Sequence, residues 1–488
     1  MIEVGRCSII IRNVDLTSES FKWFEHSFST YNKSYFRYEN QVYKVLNKDV
    51  YLPSSVGVRA LIKFFPNDKI TFNTLTTAKF RNIRYIMKNK PRNELQEKAI
   101  KFIYTMKNDD GRRSRYLCLD TGRGKTYSTI AAISQYKMVP MIVVDREFLA
   151  NQWKDEFLTH TNIKPERIKI LSGKASVKEA LEHPTDYDIY IAMHKTLQLI
   201  MDESPNSLNI LMNKLMIGFR VFDEAHTNFT NIALINALSN VEYTLYLSAT
   251  PLRSSFVERP LYEKVFSKIP CYDGTKIDDV SHYIDFKLLQ FDSHPDDKTR
   301  ISCIVKNKGF SGAKWSHWIT SSHNEYFNQI MLFALQGIRA ADGKKKTAIV
   351  LPTIEMIEMS KKFIEESLKI KVGVLAGRMT DSEKEEAKES MIFLTTTQMF
   401  GKAMNVKGLE AIINFAPITS EVSLRQLAGR LRYNAGNDHI FVDVTDIGFQ
   451  ECRRQSYIRT KFYKKYPNTL SIKRINYWEG DLLCKLIH

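Results

Sequence analysis

Thr121-Gly122-Arg123-Gly124-Lys125-Thr126 follows a short apolar strand at Leu117 to Leu119 and opens a helix near Tyr127. Two glycines let a backbone wrap closely round a phosphate, and the helix start presents N–H groups with no partner inside the helix. In such a loop Gly122, Arg123 and Gly124 form the cradle together with Thr121. Lys125 would neutralise the outer phosphates of a nucleotide, and the Thr126 hydroxyl would help to hold Mg2+. The full G-x-x-x-x-G-K-T pattern places its first glycine where this chain has Leu119, so the strand–loop–helix setting carries part of the reading.

A second run, Asp223-Glu224-Ala225-His226, follows the strand-like Phe219-Arg220-Val221-Phe222. Ligands of open α/β sheets gather at the carboxyl ends of the strands, so both runs are expected on one edge. Beside a magnesium triphosphate two adjacent carboxylates can divide the work. Asp223 would bind the metal through water, and Glu224 would orient and deprotonate the attacking water.

Short apolar segments alternate with helical ones on either side of these runs. Leu117 to Leu119, Met141 to Val144, Ile189 to Ala192, Val221 to Phe222 and Thr244 to Leu247 form one series. Ala348 to Leu351, Val372 to Leu375, Ile392 to Thr395, Ala411 to Asn414 and Ile440 to Val444 form another. Each series is the pattern of a parallel sheet covered on both faces, so the chain is read as α/β with two tandem lobes. Residues 1–88 differ and read as a small α+β domain. They suggest a strand at Cys7 to Ile11, a helix near Ser18 to Phe28, aromatic strands at Tyr35 to Tyr38 and Gln41 to Leu46, and a helix from Ser55 to Phe65.

Four motifs in this order resemble the superfamily 2 helicases: the phosphate loop, the DEAH-type box, Ser248-Ala249-Thr250, and Gln426-Leu427-Ala428-Gly429-Arg430-Leu431-Arg432. The resemblance covers about residues 91–450 and implies two RecA-like lobes that hydrolyse ATP with Mg2+. It implies that Ser248 and Thr250 couple hydrolysis to lobe movement. Gln426, Arg430 and Arg432 would act at the γ-phosphate from the second lobe, where an arginine stabilises charge on the transferred group. Pro91-Arg92 and Leu95-Gln96 resemble the adenine-recognising segment, with Gln96 reading the base. Arg146, Thr196, Thr353 and Thr396 fall in segments similar to the family's strand-contact motifs.

Three departures stand out. The last motif usually carries an arginine where this chain has Tyr433, which leaves Arg430 and Arg432 as alternative fingers. Ala403-Met404-Asn405 replaces a glycine–hydrophobic–aspartate triplet, and Asp120 and Asp145 stand where proline is common.

Charge points to a polyanionic partner. The chain has 71 basic and 54 acidic residues, a net +17, and most of the excess lies at its ends. Residues 1–90 hold 15 Lys/Arg against 7 Asp/Glu, and residues 451–488 hold 9 against 3. Lysine and arginine that displace counterions from phosphates drive nucleic-acid binding. Tyr31, Tyr35, Phe36, Tyr38 and Tyr43 interleave with Lys33, Arg37 and Lys44, a mix that stacks bases as readily as it fills a core.

The small leading α+β region makes the chain most similar to the phage branch-migration helicases of the UvsW type. That likeness implies 3′-to-5′ translocation on DNA and the remodelling of forks and Holliday junctions. It makes residues 1–88 the substrate selector, 89–275 the first lobe and 276–488 the second lobe with a basic C-terminal segment. A chain starting near Lys90 is then expected to fold and hydrolyse ATP alone.

An RNA helicase would use the same engine. A restriction-type translocase would add a nuclease, for which Glu386-Ala387-Lys388 is the one candidate, on a charged helical stretch. The six cysteines form no C-x-x-C pair, which argues against a structural zinc site or a disulfide scaffold. No apolar run reaches the roughly 20 residues of a membrane span, and a monomer working in a cytoplasm is expected.

Overall fold

Strands buried on both faces read as near-continuous apolar runs, and Pro140–Val144 and Thr347–Leu351 are buried at every position. The computed structural model describes residues 1–32, 37–72, 80–108, 113–119, 122–204, 206–249, 258–274, 284–305, 309–340, 343–377, 379–401, 406–418, 421–431, 439–464 and 470–475. The chain divides into two units, Met1–Lys276 and Ile277–His488.

In the first unit a seven-stranded parallel sheet runs in the order Ile168–Leu171, Ile189–Met193, Pro140–Val144, Phe219–Phe222, Tyr243–Ser248, Ser114–Cys118, Cys271–Asp273. The four strands that precede Asp145, Asp223, Ala249 and the phosphate loop are therefore neighbours, with their carboxyl ends on one edge. The second unit has its own seven-stranded parallel sheet, ordered Val372–Leu375, Ile392–Thr396, Thr347–Leu351, Ala411–Asn414, His439–Asp446, Ile284–Phe291, Leu470–Ile475. The α/β reading with two RecA-like lobes holds, and each sheet has two strands that the apolar pattern did not give. Ile168–Leu171 and Cys271–Asp273 lie at sheet edges, and Leu470–Ile475 is an edge strand with Ser471, Ile472, Lys473 and Arg474 exposed. Ile284–Phe291 carries Asp285, Lys287 and Gln290 at half-buried positions.

The leading residues form a five-stranded sheet ordered Lys44–Leu46, Asp49–Pro53, Ser8–Ile11, Ile2–Val4, Ile70–Phe72, antiparallel except for its last pair. Ser18 starts the helix Glu19–Ser27, its hydroxyl accepting the Phe21 N–H, and Phe21 and Phe24 enter an aromatic core with Phe28, Tyr43 and Phe64. The helix expected from Ser55 is instead two 3-10 turns, Ser54–Val56 and Val58–Ala60. Gly57 separates them at φ +74°, and a Cβ there would meet the Lys268 ammonium at 2.9 Å. Tyr35 and Phe36 lie outside the described residues, while Tyr43 is buried and donates to Glu25 at 2.9 Å.

This sheet is not a separate body. One hydrophobic core runs from Ile2, Ile9 and Ile11 through Val50 and Leu52 to Ile232, Val265 and Phe266. The helix Phe229–Ala237, which follows the DEAH box, packs on strand Asp49–Pro53. Arg6 of the small sheet and Arg113 of the lobe share the Glu242 carboxylate, and Lys264 and Lys268 donate to the carbonyls of Ser27 and Val56. Baring a buried Ile or Leu costs about 1.5–3 kcal/mol, so removing residues 1–88 would strip the lobe of several such partners at once. That shared packing weighs against the expectation that a chain starting near Lys90 folds alone. The boundary near residue 88 divides two topologies but not two cores.

Candidate active site

Asn93 caps the helix Glu94–Tyr104 by accepting the Gln96 N–H, which fixes Gln96 in the first turn. The Gln96 Oε1 accepts the Arg92 N–H at 2.8 Å, and its buried Nε2 has no hydrogen-bond partner among the described residues. That amide stands against the phosphate loop, where a Cβ at Gly124 would come within 2.1 Å of Nε2. Gly122 and Gly124 hold φ +82° and +89°, the left-handed region that glycine enters without strain.

The helix Lys125–Tyr136 begins directly after Gly124 and has no side-chain cap. Its first-turn N–H groups are thus left for an anion. Thr126 occupies that first turn, and Arg123 is half-buried beside it. Thr121 lies outside the described residues.

The Lys125 side chain is only 11 % exposed, makes no hydrogen bond among the described residues, and holds its Nζ 3.8 Å from Glu224 Oε1. An ammonium buried without donating is costly unless an anion is meant to complete it. Glu224 sits at φ +47°, a conformation uncommon for a residue with a Cβ and frequent at functional sites. Its other oxygen lies 3.3 Å from His226 Nδ1, and the same nitrogen lies 2.8 Å from Ser248 Oγ. The Ala225 N–H donates to Leu247 O, so the box is tied to the Ser248 strand through main chain and side chain alike.

Asp223 Oδ1 accepts the Glu224 N–H at 3.0 Å, and Oδ2 accepts the Trp153 indole N–H at 2.9 Å. Desolvation, then the neighbouring Glu224 charge, pushes its carboxyl up to about 6.

An uncapped helix start, a buried lysine without a hydrogen bond, a glycine cradle and a buried amide at its rim fit a nucleoside triphosphate. Asp223 and the Thr126 hydroxyl are the hard oxygen donors that Mg2+ takes. Sequence reasoning missed His226 as the link to Ser248 and Trp153 as the orienter of Asp223. DEAH and Ser-Ala-Thr were each legible, but their contact joins adjacent strands that are distant in sequence.

The strand-contact candidates separate. Arg146 is exposed at the start of the helix Glu147–His160, beside Asp145 at 3.5 Å. Thr196 is 2 % exposed, and its hydroxyl accepts the Gly173 N–H at 2.9 Å, so it braces the Gly173 turn. In the second unit Thr353 caps Ile354–Leu368 and meets Ser316 Oγ at 2.5 Å. Thr396 ends its strand, where its hydroxyl accepts the Met399 N–H at 3.4 Å. Gln426 lies on the helix Glu421–Ala428 and Arg430 on the turn after it, both half-buried. Thr250 and Arg432 lie outside the described residues. No helix among the described residues is long and apolar enough to cross a membrane.

Comparison with known proteins places these parts in a family. The family described as Type III restriction enzyme, res subunit, matches residues 89–253, and the helicase conserved C-terminal domain matches residues 327–434. Together they cover more than half of the chain. L396 of Acanthamoeba polyphaga mimivirus, whose name assigns it provisionally to the ATP-dependent RNA helicases, is 23% identical over 361 residues. That alignment takes in 72% of this chain and 63% of the relative, so the chain spans less than two thirds of that protein.

Among solved structures, S. cerevisiae Dbp5 bound to RNA and ADP BeF3 has the same fold. It aligns over 81% of this chain and 92% of its own, at 13% identity and a TM-score of 0.50. The crystal structure of T4 UvsW aligns over 97% and 99% at 16% identity, with a TM-score of 0.35. With both halves of the engine matched in order, the chain is a superfamily 2 helicase, an enzyme that hydrolyses ATP.

Proposed function

We propose that this helicase translocates 3′ to 5′ on DNA and remodels forks and Holliday junctions in replication, recombination and repair. The observation that carries the motor chemistry is the buried Lys125 ammonium, without a hydrogen bond, at the uncapped helix start beside Glu224. In this reading Lys125 and the first-turn N–H groups hold the β- and γ-phosphates, and Gln96 orients the adenine. Thr126 and Asp223 would hold Mg2+, which when bound supplies charge neutralisation at the phosphates. Glu224 orients the attacking water and takes its proton on a carboxylate oxygen. Gln426 and Arg430, with Arg432 as the alternative finger, supply charge as the γ-phosphoryl group leaves. His226 and Ser248 report the state of Glu224 to the neighbouring strand.

Support for a nucleic-acid partner comes from the excess charge of residues 1–90 on a sheet that shares the first lobe's core, so the motor carries it as one body. Arg146, Thr353 and Thr396 are the strand contacts of this reading, and the protein acts as a monomer in a cytoplasm. An RNA substrate is the second reading, favoured by the name of the mimivirus relative. ATP turnover compared on forked DNA, linear duplex, single strands and structured RNA at one salt concentration tests both. Strongest stimulation by forks is expected, and strongest stimulation by structured RNA would replace the first reading with the second.

A further inference from the structure

The helix Gln450–Tyr463 of the second unit has two unlike faces. Cys452, Gln455, Ser456, Arg459, Phe462 and Tyr463 are buried. Arg459 anchors that face, donating to Asp443 Oδ2 at 2.7 Å and Thr445 Oγ1 at 2.6 Å, with both ionic partners almost wholly buried. The opposite face exposes Arg453, Arg454, Tyr457, Ile458, Lys461 and the capping Lys464. Tyr457 is 62 % exposed and Ile458 40 %, and the Lys461 ammonium lies 4.7 Å from the Tyr457 ring centroid. Among the described residues no carboxylate pairs with any of these four cations.

Solubility does not account for this face. In the same unit the helix Ile354–Leu368 mixes Glu358, Lys361, Lys362, Glu365 and Glu366, and in Asp381–Glu389 Glu386 pairs with Lys371 and Lys388 with Glu385. Those are balanced, solvated surfaces. On Gln450–Tyr463 Arg453, Arg454, Lys461 and Lys464 share one face and repel one another, while the helix dipole favours only the last-turn pair, Lys461 and Lys464. A one-signed face that no carboxylate pairs among the described residues fits an external anion.

Resting on the DNA reading above, we propose that this helix face is a second nucleic-acid grip that holds the phosphate backbone of a duplex arm. From Arg453 to Lys464 the face runs about 16 Å at 1.5 Å per residue. A duplex lying along that length presents roughly ten phosphates, one per 1.7 Å of its axis. A single strand is gripped by successive aromatics on which bases stack, whereas this face has one aromatic among charges. The buried Arg459 anchor keeps the helix from turning, so the four cations keep their spacing.

The test is a full-length variant with Arg453→Gln, Arg454→Gln, Lys461→Gln and Lys464→Gln, beside a control with Arg453→Lys and Arg454→Lys. All four side chains are exposed, so the melting temperature of each should match the parent and verifies folding. Binding of a blunt 30-base-pair DNA, its RNA counterpart and a 30-nucleotide single strand is measured across a salt series. The grip predicts that the duplex slope of log affinity against log salt becomes shallower by about 3–4, near 0.9 per lost contact. Duplex affinity should fall about tenfold or more while single-strand affinity changes much less, and the lysine control should bind like the parent. An unchanged duplex slope, or equal losses on duplex and single strand, overturns the grip while leaving the branched-DNA reading intact. If the parent prefers RNA but the quadruple variant loses affinity for RNA duplex, the DNA reading fails and the grip stands.

Discussion

The first lobe keeps an incomplete set around Lys125: among the described residues its ammonium makes no hydrogen bond and meets Glu224 at 3.8 Å, beside an Asp223 carboxyl pushed up to about 6 and Glu224 at positive φ. The second lobe keeps Asp443 and Arg459 as a finished one. Their side chains are 1 % and 2 % exposed, Asn414 donates to the second Asp443 oxygen at 3.0 Å, and Arg459 also donates to Ile418 O. Both clusters place a carboxylate on or just after a central strand of a parallel sheet, so the type of location does not distinguish them. Satisfaction does. Buried charge that the protein itself completes serves architecture, and buried charge left open marks where a ligand completes it.

That contrast predicts opposite outcomes for the two sets. Lys125→Ala should lower ATP turnover by about a hundredfold or more and change the melting temperature little, since its ammonium meets Glu224 only at 3.8 Å and makes no hydrogen bond among the described residues. Arg430→Ala should cut turnover by roughly a thousandfold with ATP affinity nearly unchanged, as loss of an arginine finger does. A large loss of ATP affinity in Arg430→Ala would instead make that arginine a binding residue.

Arg459→Met should do the reverse of Lys125→Ala. Breaking a buried pair from one side costs about 3–5 kcal/mol, which for a unit of this size lowers the melting temperature by roughly 10 °C. Calorimetry that finds Lys125→Ala the less stable of the two would break the comparison.

His194 extends it to pH. Burial lowers its pKa to about 4 from 6.5, while its ring stacks on Phe222 and lies 3.4 Å from Asn231 Nδ2. The unfolded chain takes up its proton near 6.5 and the folded chain only near 4. The stability this contributes is therefore whole above 6.5 and is lost as pH falls between those values. The loss amounts to up to about 3 kcal/mol. Urea midpoints measured from pH 8 to 4.5 should fall on the acid side, and His194→Phe should flatten the curve.

A smaller effect belongs to His226→Ala. It should lower turnover about tenfold or less but impair unwinding more, because the 2.8 Å contact with Ser248 is lost. Equal losses in both assays would make His226 a support for Glu224 alone.

Motifs that must be contiguous were legible in the sequence: Gly122 to Thr126, Asp223 to His226, Ser248 to Thr250. A phosphate cradle needs neighbouring backbone, and each run sits at the end of an apolar strand. Pairs formed across the sheet were not legible, because nothing local marks Trp153 as the partner of Asp223. Arg459 sat in a basic stretch that read as surface charge. Its place at the spacing of Cys452, Gln455, Phe462 and Tyr463 was the available signal, since helical periodicity sets it on the apolar face. The helix expected near Ser55 failed on Gly57, whose left-handed conformation breaks the chain into two turns. The basic residues of 1–90 suggested a detachable domain, while the apolar faces of Asp49–Pro53 and Phe229–Ala237 join it to the lobe.

The most direct test of the incomplete set is single-turnover ATP hydrolysis by Glu224→Gln in the presence of nucleic acid, with bound nucleotide measured in the same samples. The amide keeps the size of Glu224 but cannot accept the water's proton. ATP should therefore bind close to normally while hydrolysis falls by about a thousandfold, the range seen when a group that acts in the transition state is removed. Near-normal hydrolysis would contradict the account, since Glu224 would then not be the group that takes the water's proton.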